Sequence, residues 1–368
     1  MKATQRLHEL GQSLWLDNIT REMLVNGTLR RYIEDFDVTG LTSNPTIFDH
    51  AIRNGSFYDD SIRRKTAAGQ SGEDLFIDLA LEDLAQAADL FRPAHEATGG
   101  VDGWVSMEVS PLLVDDTAGS VREARRLHAR ARRANLFIKI PGTRAGVPAI
   151  EEAIFAGVPI NVTLLFSCEQ YLAAANAYLA GIERRIAAGL DPKVDSAASL
   201  FVSRWDVAVK DKVPRELRNR LGIAIARRTY KAYRELLASP RWRALERAGA
   251  RVQRLLWAST GTKDPEAPDT LYIEALAAPD TINTIPDKTL LAFADHGQVK
   301  DMLPADGGDA ERVIDEFRRA GVDDAAVADR LQVEGAQAFD KSWRDLLECI
   351  AAKSEALKNI ASANRGPV

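Results

Sequence analysis

Eight short segments rich in β-branched and apolar residues recur along this chain, and helical patterns separate them. The segments are residues 13–17, 38–44, 104–110, 136–141, 159–166, 197–203, 254–260 and 280–286. Such alternation predicts a parallel sheet covered by helices. Eight units over about 290 residues are typical of an α/β (β/α)8 TIM barrel. A doubly wound sheet is the alternative, but no glycine-rich dinucleotide fingerprint follows a strand.

The length and composition fit one large globular domain. The chain has 368 residues, of which 46% are hydrophobic and 27% are charged, so it can bury a sizeable core. The sequence has no internal repeat, low-complexity tract or obvious interdomain linker. We therefore expect a single barrel domain over residues 1–368, in which residues from about 300 to 368 form C-terminal helices packed on the barrel.

Charge and residue usage argue against several classes of partner and cofactor. A formal net charge of −5 and a pI near 5.7 disfavour nucleic acid as the main partner. The sequence has no run of 18 apolar residues, and its N-terminus is polar. We therefore expect no membrane span and a cytoplasmic location. Two cysteines and five scattered histidines predict neither a disulfide nor a metal site.

The alternation of side chains along each strand predicts which residues point into the barrel. In the third and fourth segments the apolar residues occupy every second position, which directs Glu108 and Lys139 inward. In the fifth segment the same rule directs Leu164 outward and Leu165 inward. The other residues directed inward are Trp15, Asp17, Thr42, Asn44, Ser106, Ser110, Phe137, Asn161, Thr163, Ser199, Phe201 and Ser203.

Lys139 lies within an apolar run at 135–141 (NLFIKIP). Burial of an ammonium group is costly. Desolvation disfavours the charged form of a lysine, and the neutral amine can attack a carbonyl carbon to form a Schiff base. Lysines also occupy sheet edges and strand ends, so a structural role for Lys139 alone stays open.

The inward polar residues fall near the C-terminal ends of the strands, where TIM barrels have their active sites. A satisfied structural network, or a buried salt bridge between Lys139 and Glu108, is the alternative. The whole set favours catalysis, because branched apolar side chains normally fill a barrel interior. Asp17 and Glu108 are the candidates for proton transfer. The set comprises Asp17, Asn44, Glu108, Lys139, Asn161 and Thr163.

Three residues after strands six and seven are candidates for binding phosphate. Loops at this end of a TIM barrel frequently form a phosphate site. Arg204 follows strand six, and Ser259 and Lys263 follow strand seven. Each of them could instead be a solvated loop residue.

Two longer motifs surround Asn44 and Lys139. The first is Gly40–Phe48 (GLTSNPTIF), and the second is Ile138–Thr143 (IKIPGT) followed by Ile160–Ser167 (INVTLLFS). Both resemble the signatures of the transaldolase family, in the longer form found in many bacteria and in plants. The resemblance extends over roughly residues 10–300 and implies a barrel of the class I aldolase type. It also includes the segments LWLD at 14–17, SMEVSP at 106–111, SLFVSR at 199–204 and LWASTGTK at 256–263.

The resemblance implies a reaction of the pentose phosphate pathway, in which a dihydroxyacetone unit moves from sedoheptulose 7-phosphate to glyceraldehyde 3-phosphate. The products are erythrose 4-phosphate and fructose 6-phosphate, and no cofactor is required. Lys139 would form the Schiff base, and Asp17 would take the proton of the C4 hydroxyl. Glu108 and Thr163 would hold the water that shuttles protons. The substrate-binding residues would be Asn44, Asn161, Ser199, Phe201, Arg204, Ser259 and Lys263.

One position departs from the pattern of the shorter family members. They carry a second phosphate-binding arginine two residues after the serine that matches Ser259, whereas this chain has Gly261 there. Lys263 is our candidate for the second cation, because an ammonium can reach phosphate as a point charge. The expected assembly is a monomer or a homodimer.

Two other functions stay open. A fructose 6-phosphate aldolase would release free dihydroxyacetone, and the resemblance implies a tyrosine in such enzymes where this chain has Phe201. A phenylalanine cannot bond the catalytic water, which disfavours the aldolase. A non-catalytic sugar-phosphate binding barrel is the third possibility. The intact Lys139, Asp17 and Glu108 argue against it.

Overall fold

The eight predicted strands form a closed parallel barrel in chain order in the computed structural model, which describes residues 2–363 and the side chains of residues 2–359. This confirms the TIM barrel and excludes the doubly wound sheet. Each strand begins and ends within two residues of its predicted bounds. The strands are β1 Ser13–Leu16, β2 Val38–Thr42, β3 Trp104–Glu108, β4 Leu136–Pro141, β5 Ile160–Leu165, β6 Ser196–Phe201, β7 Gln253–Ala258 and β8 Thr281–Ile285.

Helices connect the strands, and two of them follow the barrel near the C-terminus. The first eight are α1 Ala3–Glu9, α2 Arg21–Val25, α3 Thr28–Phe36, α4 Pro45–Asn54, α5 Asp59–Ala67, α6 Gly72–Ala97, α7 Thr117–Ala131 and α8 Gly146–Phe155. The others are α9 Cys168–Ala187, α10 Ser203–Val209, α11 Leu221–Ala238, α12 Pro240–Arg247, α13 Leu271–Ala275, α14 Asp287–His296, α15 Ala310–Arg319 and α16 Asp324–Ala363.

The C-terminal helices confirm the expectation of additional helices after the barrel. α15 packs beside α11, and the 40-residue α16 contacts α4, α5, α6 and α10. The predicted domain of residues 1–368 includes Met1 and residues 364–368, which lie outside the described residues. None of the helices in the described part of the chain is long and apolar enough to cross a membrane.

Strand alternation separates two apolar layers, as the sequence predicts. Side chains that point outward, such as Leu14, Val105 and Ile138, pack with the surrounding helices. Inward side chains fill the N-terminal half of the barrel, where Trp104 stacks on Phe137 with 4.0 Å between ring centroids. The polar side chains of the candidate site lie in the C-terminal half of the interior.

The predicted orientation of Leu164 and Leu165 is wrong. Leu164 has a left-handed backbone conformation with φ of 58°, and the pairing of β5 with β6 shifts between Val162 and Leu165. Leu164 therefore joins the cluster that contains Phe201, whereas Leu165 packs in the outer layer. The bulge interrupts the two-residue period, which holds only in a regular strand.

Gly40 shows how tightly the barrel interior is packed. A Cβ atom at this position of β2 would lie 2.6 Å from the carbonyl oxygen of Trp104 and 2.7 Å from the Trp15 ring. Glycine thus allows the indole of Trp15 to lie against the backbone, where its Nε1 donates to Asp102 Oδ1 at 2.8 Å. The tight packing around Gly40 therefore belongs to the layer of inward aromatic side chains below the polar layer.

Candidate active site

A cavity of about 500 Å³ opens at the C-terminal ends of the strands. Nine of the eleven side chains predicted for the site line it: Asp17, Asn44, Lys139, Thr163, Ser199, Phe201, Arg204, Ser259 and Lys263. Glu108 and Asn161 lie directly behind this surface, each in hydrogen-bond contact with one of its members. The structure therefore brings all the predicted residues together from β1 to β7.

Lys139 lies on the floor of the cavity and is 5% exposed. The parallel register places it beside Glu108 on β3 and Asn161 on β5. Its Nζ donates to Glu108 Oε1 at 2.5 Å and to the carbonyl oxygen of Ser43 at 3.1 Å. The amine thus has a carboxylate as an immediate proton acceptor.

Burial changes the acidity of the two carboxyl groups near Lys139. For both Glu108 and Asp17 it raises the pKa above the ordinary value, and the positive charge of Lys139 opposes this effect only in part. Asp17 follows the last residue of β1, and its Oδ1 accepts from the hydroxyl of Thr42 at 2.9 Å. Both acids can consequently hold or release a proton closer to neutral pH than an exposed carboxyl.

The hydroxyl of Thr163 is buried and has no hydrogen-bond partner within residues 2–359. Thr163 is on β5 and lines the cavity. It pairs with Pro141 on β4, and Pro141 lies two residues after Lys139. A buried hydroxyl without a partner is costly. A water or substrate oxygen in the cavity could satisfy it.

A chain of hydrogen bonds orders the polar layer behind the cavity. Ser199 donates to Asn161 Oδ1 at 2.7 Å, and Asn161 Nδ2 donates to Ser106 Oγ at 3.2 Å. Asn161 is fully buried, whereas Ser199 reaches the cavity surface. Asn44, in contrast, is the N-cap that precedes α4, and its side chain accepts from the backbone N–H of Ile47 at 3.1 Å.

Two further cations line the cavity after strands β6 and β7, Arg204 and Lys263. Arg204, in the first turn of α10, makes no hydrogen bond or ion pair with any group in the described part of the chain, and its guanidinium lies 5.4 Å from the centre of the Phe201 ring. Burial lowers the pKa of Arg204. Ser259 has a φ of 55° and lies 3.0 Å from Ser203 through the hydroxyl oxygens. Lys263 is exposed at the rim.

Several lining residues were not assigned to the site by the sequence. Thr42 and Thr284 are 2.7 Å apart through their hydroxyl oxygens, which orients the hydroxyl of Thr42 beside Asp17. The inward parity of Thr42 was a usable signal. Ala258 is the last residue of β7. The remaining residues come from loops and helices, which strand alternation does not describe: Asn18, Thr20, Thr46, Ile47, His50, Gly261, Pro286, Asp287 and Phe339.

Residues 14–350 match the model of the family described as transaldolase/fructose-6-phosphate aldolase. The chain belongs to this family. It is 45% identical over 356 residues to a transaldolase of Thermobifida fusca, and this match covers 94% of our chain and 97% of that protein. A transaldolase of Parafrankia is 43% identical, and the match covers 95% of our chain and 97% of the relative. A protein of Nostoc named transaldolase 2 is 37% identical, and the match covers 96% of our chain and 98% of the relative.

These matches confirm the resemblance of the motifs to the transaldolase family. They extend well beyond the motifs and include most of the C-terminal helices. Together they support an enzyme with transaldolase activity.

Proposed function

We propose that this transaldolase acts through a Schiff base on Lys139 and moves a dihydroxyacetone unit from sedoheptulose 7-phosphate to glyceraldehyde 3-phosphate. The products would be erythrose 4-phosphate and fructose 6-phosphate. The observation that carries the proposal is the position of the Lys139 amine, which is buried on the cavity floor and 2.5 Å from Glu108. A lysine so placed can lose its proton to the neighbouring carboxylate.

Formation of the Schiff base would begin with that proton transfer. The neutral amine of Lys139 then attacks C2 of the ketose, and the C2 oxygen leaves as water after it is protonated. Glu108 is in place to supply the proton, and the unpartnered hydroxyl of Thr163 could hold the water that passes it on. The raised pKa of Glu108 suits a group that both accepts and donates protons.

Asp17 would act in the cleavage of the carbon–carbon bond. Its carboxylate takes the proton of the C4 hydroxyl, the C3–C4 bond breaks, and the bonding electron pair moves into the protonated imine on Lys139. The departing aldehyde is erythrose 4-phosphate when sedoheptulose 7-phosphate is the donor. The three-carbon unit stays bound as an enamine until the acceptor aldehyde arrives. The Thr42 hydroxyl at 2.9 Å supports this orientation of the carboxylate.

The three-carbon unit would be held by the polar layer around Lys139. We propose that Asn44 and Asn161 bind its hydroxyl groups. Asn44 lines the cavity directly, and Asn161 is connected to it through Ser199. This arrangement leaves the side of the cavity near Arg204 for the remainder of the sugar.

Arg204, Ser259 and Lys263 would bind the substrate phosphate. The partly buried guanidinium of Arg204 has no anionic partner within the described residues, so it is available for a ligand anion. Lys263 supplies a second positive charge at the rim, beside the position of Gly261. An exposed lysine on a loop would bind more weakly than Arg204.

Phe201 favours transfer over release of free dihydroxyacetone. Its ring lines the cavity and packs 5.2 Å from Phe166, and the Phe201 side chain offers no hydroxyl to a water that could hydrolyse the intermediate. The aldolase alternative lacks such a supporting observation. The cytoplasmic location and the monomeric or homodimeric state stay predictions from the sequence.

Borohydride reduction in the presence of fructose 6-phosphate tests the proposal. Mass spectrometry should find a dihydroxyacetone-sized adduct on Lys139 alone, because only this lysine lies on the cavity floor. The variant Lys139→Arg should fold and yet have no turnover, since a guanidinium stays protonated. An adduct on a different lysine, or turnover by the arginine variant, would refute the assignment.

A further inference from the structure

One face of helix α16 forms part of the active-site wall. Gln332, Gly335, Phe339 and Trp343 recur every three or four residues, so they lie on the same side of the helix. Phe339 lines the cavity, and Trp343 packs edge-on against Phe76 at 5.1 Å. The side chains of α16 therefore contact both the site and the helices around it.

Gly335 allows α16 to approach the barrel closely. A Cβ atom at this position would lie 2.9 Å from Leu164 Cδ2 and 3.6 Å from Arg204 Nη1. Glycine is unfavourable in the middle of a helix, where alanine would be preferred. The contact with Leu164 accounts for its presence and places the preceding turn of α16, which carries Gln332, against the ends of β4 and β5.

The end of β5 is irregular at the residue that follows Thr163. Leu164 has a φ of 58°, a conformation that non-glycine residues adopt only when their surroundings impose it. The carbonyl oxygen of Thr163 accepts from the N–H of Gly142, just after β4. The orientation of Thr163 in the cavity thus depends on the backbone positions of Gly142, after β4, and Leu164, on β5.

Gln332 holds the backbone on both sides. Its Nε2 donates to the carbonyl oxygen of Gly142 at 3.1 Å and to that of Leu164 at 3.0 Å. Gly142 lies three residues after Lys139, and Leu164 lies next to Thr163. A single amide group therefore joins the strand that carries the amine to the strand that carries the unpartnered hydroxyl.

We propose that Gln332 is a positioning residue that fixes the hydroxyl of Thr163 relative to the amine of Lys139. This inference rests on the roles proposed above for both residues. Without the amide, the carbonyls of Gly142 and Leu164 lose a common donor, and the bulge at Leu164 loses the group that defines its geometry. The steps that need an ordered water, formation and hydrolysis of the Schiff base, should slow, whereas binding of the sugar phosphate should change little.

The test compares Gln332→Met with Gln337→Met. Gln337 is exposed on the same helix and has no hydrogen-bond partner within the described residues, so it controls for the substitution itself. The rate of borohydride-trapped adduct formation on Lys139 is measured with fructose 6-phosphate, together with kcat and KM. We expect Gln332→Met to lower the adduct rate and kcat by roughly tenfold to a hundredfold at nearly unchanged KM, as a small misplacement near the reacting atoms would.

A donor-retaining variant separates positioning from a merely structural role. Gln332→Lys keeps N–H donors at similar reach and should recover most of the lost rate. If Gln332→Lys were as slow as Gln332→Met, or if KM rose and thermal stability fell along with the loss of kcat, the inference would be overturned. Should Gln332→Met not fold, Gln332→Glu replaces it, because a carboxylate of the same length cannot donate; a wild-type rate in that variant would also overturn the inference.

The outcome for the wild type distinguishes this inference from the proposed function. If the wild type gave no adduct on Lys139, the proposed function itself would fail. If the wild type gave the adduct and Gln332→Met matched Gln337→Met in rate, only the role of Gln332 would be refuted.

Discussion

The Nζ atom of Lys139 lies 2.5 Å from Oε1 of Glu108, and both side chains are buried beneath the cavity. The register of β3 and β4 makes these two residues neighbours, so their contact is built into the sheet. A buried ion pair contributes little to stability by itself. The pair matters for catalysis, because the Glu108 carboxylate can take the proton of the Lys139 amine that attacks the substrate.

Glu108→Gln tests that role. The amide has nearly the same shape but cannot accept the proton of Lys139, so we expect kcat to fall by roughly 10²- to 10⁴-fold. The rate of adduct formation on Lys139 should fall with it in the borohydride assay. Glu355→Gln, at an exposed position of α16, serves as the control. A kcat for Glu108→Gln within a few-fold of the control would show that proton transfer does not pass through Glu108.

Arg204→Ala should selectively impair the use of phosphorylated substrates. A lost charge-assisted hydrogen bond costs about 1.5–3 kcal/mol, which corresponds to roughly ten- to a hundredfold in kcat/KM. Fructose, which has no phosphate, should be affected far less, and Lys263→Ala should show the same selectivity with a smaller effect. The control is Arg319→Ala, because Arg319 is exposed and outside the cavity lining.

The ratio between the two kinds of substrate decides the result for Arg204. An equal loss of kcat/KM on fructose and on fructose 6-phosphate would assign Arg204 to structure, through its contact with the Phe201 ring, instead of to phosphate binding.

Asp206 should make the stability of the protein depend on pH. Its buried carboxylate accepts from Tyr272 at 2.8 Å and from the N–H of Leu221 at 2.9 Å, and burial raises its pKa to about 6. Between pH 4 and 6 the folded state then holds a proton that the unfolded chain releases. The free energy of unfolding should therefore fall by up to roughly 3 kcal/mol as the pH rises through this window, and stay level above it.

Asp206→Asn should remove this part of the pH dependence, because an amide stays neutral and can still accept the backbone N–H bond. Urea unfolding at several pH values between 4 and 7 measures the difference from the wild type. Asp211→Asn, at an exposed position two residues after α10, is the control. The same pH slope in Asp206→Asn and in the wild type would mean that Asp206 titrates equally in both states.

The sequence was sufficient to predict the barrel and the residues on regular strands. Lys139, Glu108 and Thr163 follow from the two-residue period, because neighbouring parallel strands bring inward residues to the same level. The two-residue alternation of side chains failed at Leu164. The positive φ of this residue exchanges the inward and outward directions predicted for Leu164 and Leu165. No local pattern marked that bulge, because its surroundings, including Gln332, stabilise it.

The contribution of α16 could not be predicted from local sequence. Phe339 lies 54 residues beyond Ile285, the end of the last strand, and its place in the cavity depends on how the helix crosses the barrel. Its amphipathic pattern identifies a buried face but not the surface that covers it. Gly335 was the one available signal, because a glycine inside a long helix often marks a close approach.

Phe201→Tyr should shift the enzyme from transfer towards hydrolysis. With fructose 6-phosphate alone, the wild type should release glyceraldehyde 3-phosphate once and keep the three-carbon unit on Lys139 until erythrose 4-phosphate arrives. The tyrosine would add a hydroxyl at a position where Phe201 now presents only a phenyl ring to the cavity, and this hydroxyl could bond a water near the Schiff base. Release of dihydroxyacetone without acceptor should then increase several-fold.

A coupled dehydrogenase assay of glyceraldehyde 3-phosphate, with and without erythrose 4-phosphate, measures this shift. Phe57→Tyr is a suitable control, because Phe57 is 42% exposed and lies outside the cavity lining. Sustained turnover of the wild type without acceptor would favour an aldolase. If the wild type needs the acceptor and Phe201→Tyr needs it equally, the transferase assignment stands, and the preference for transfer must originate elsewhere in the cavity than at Phe201.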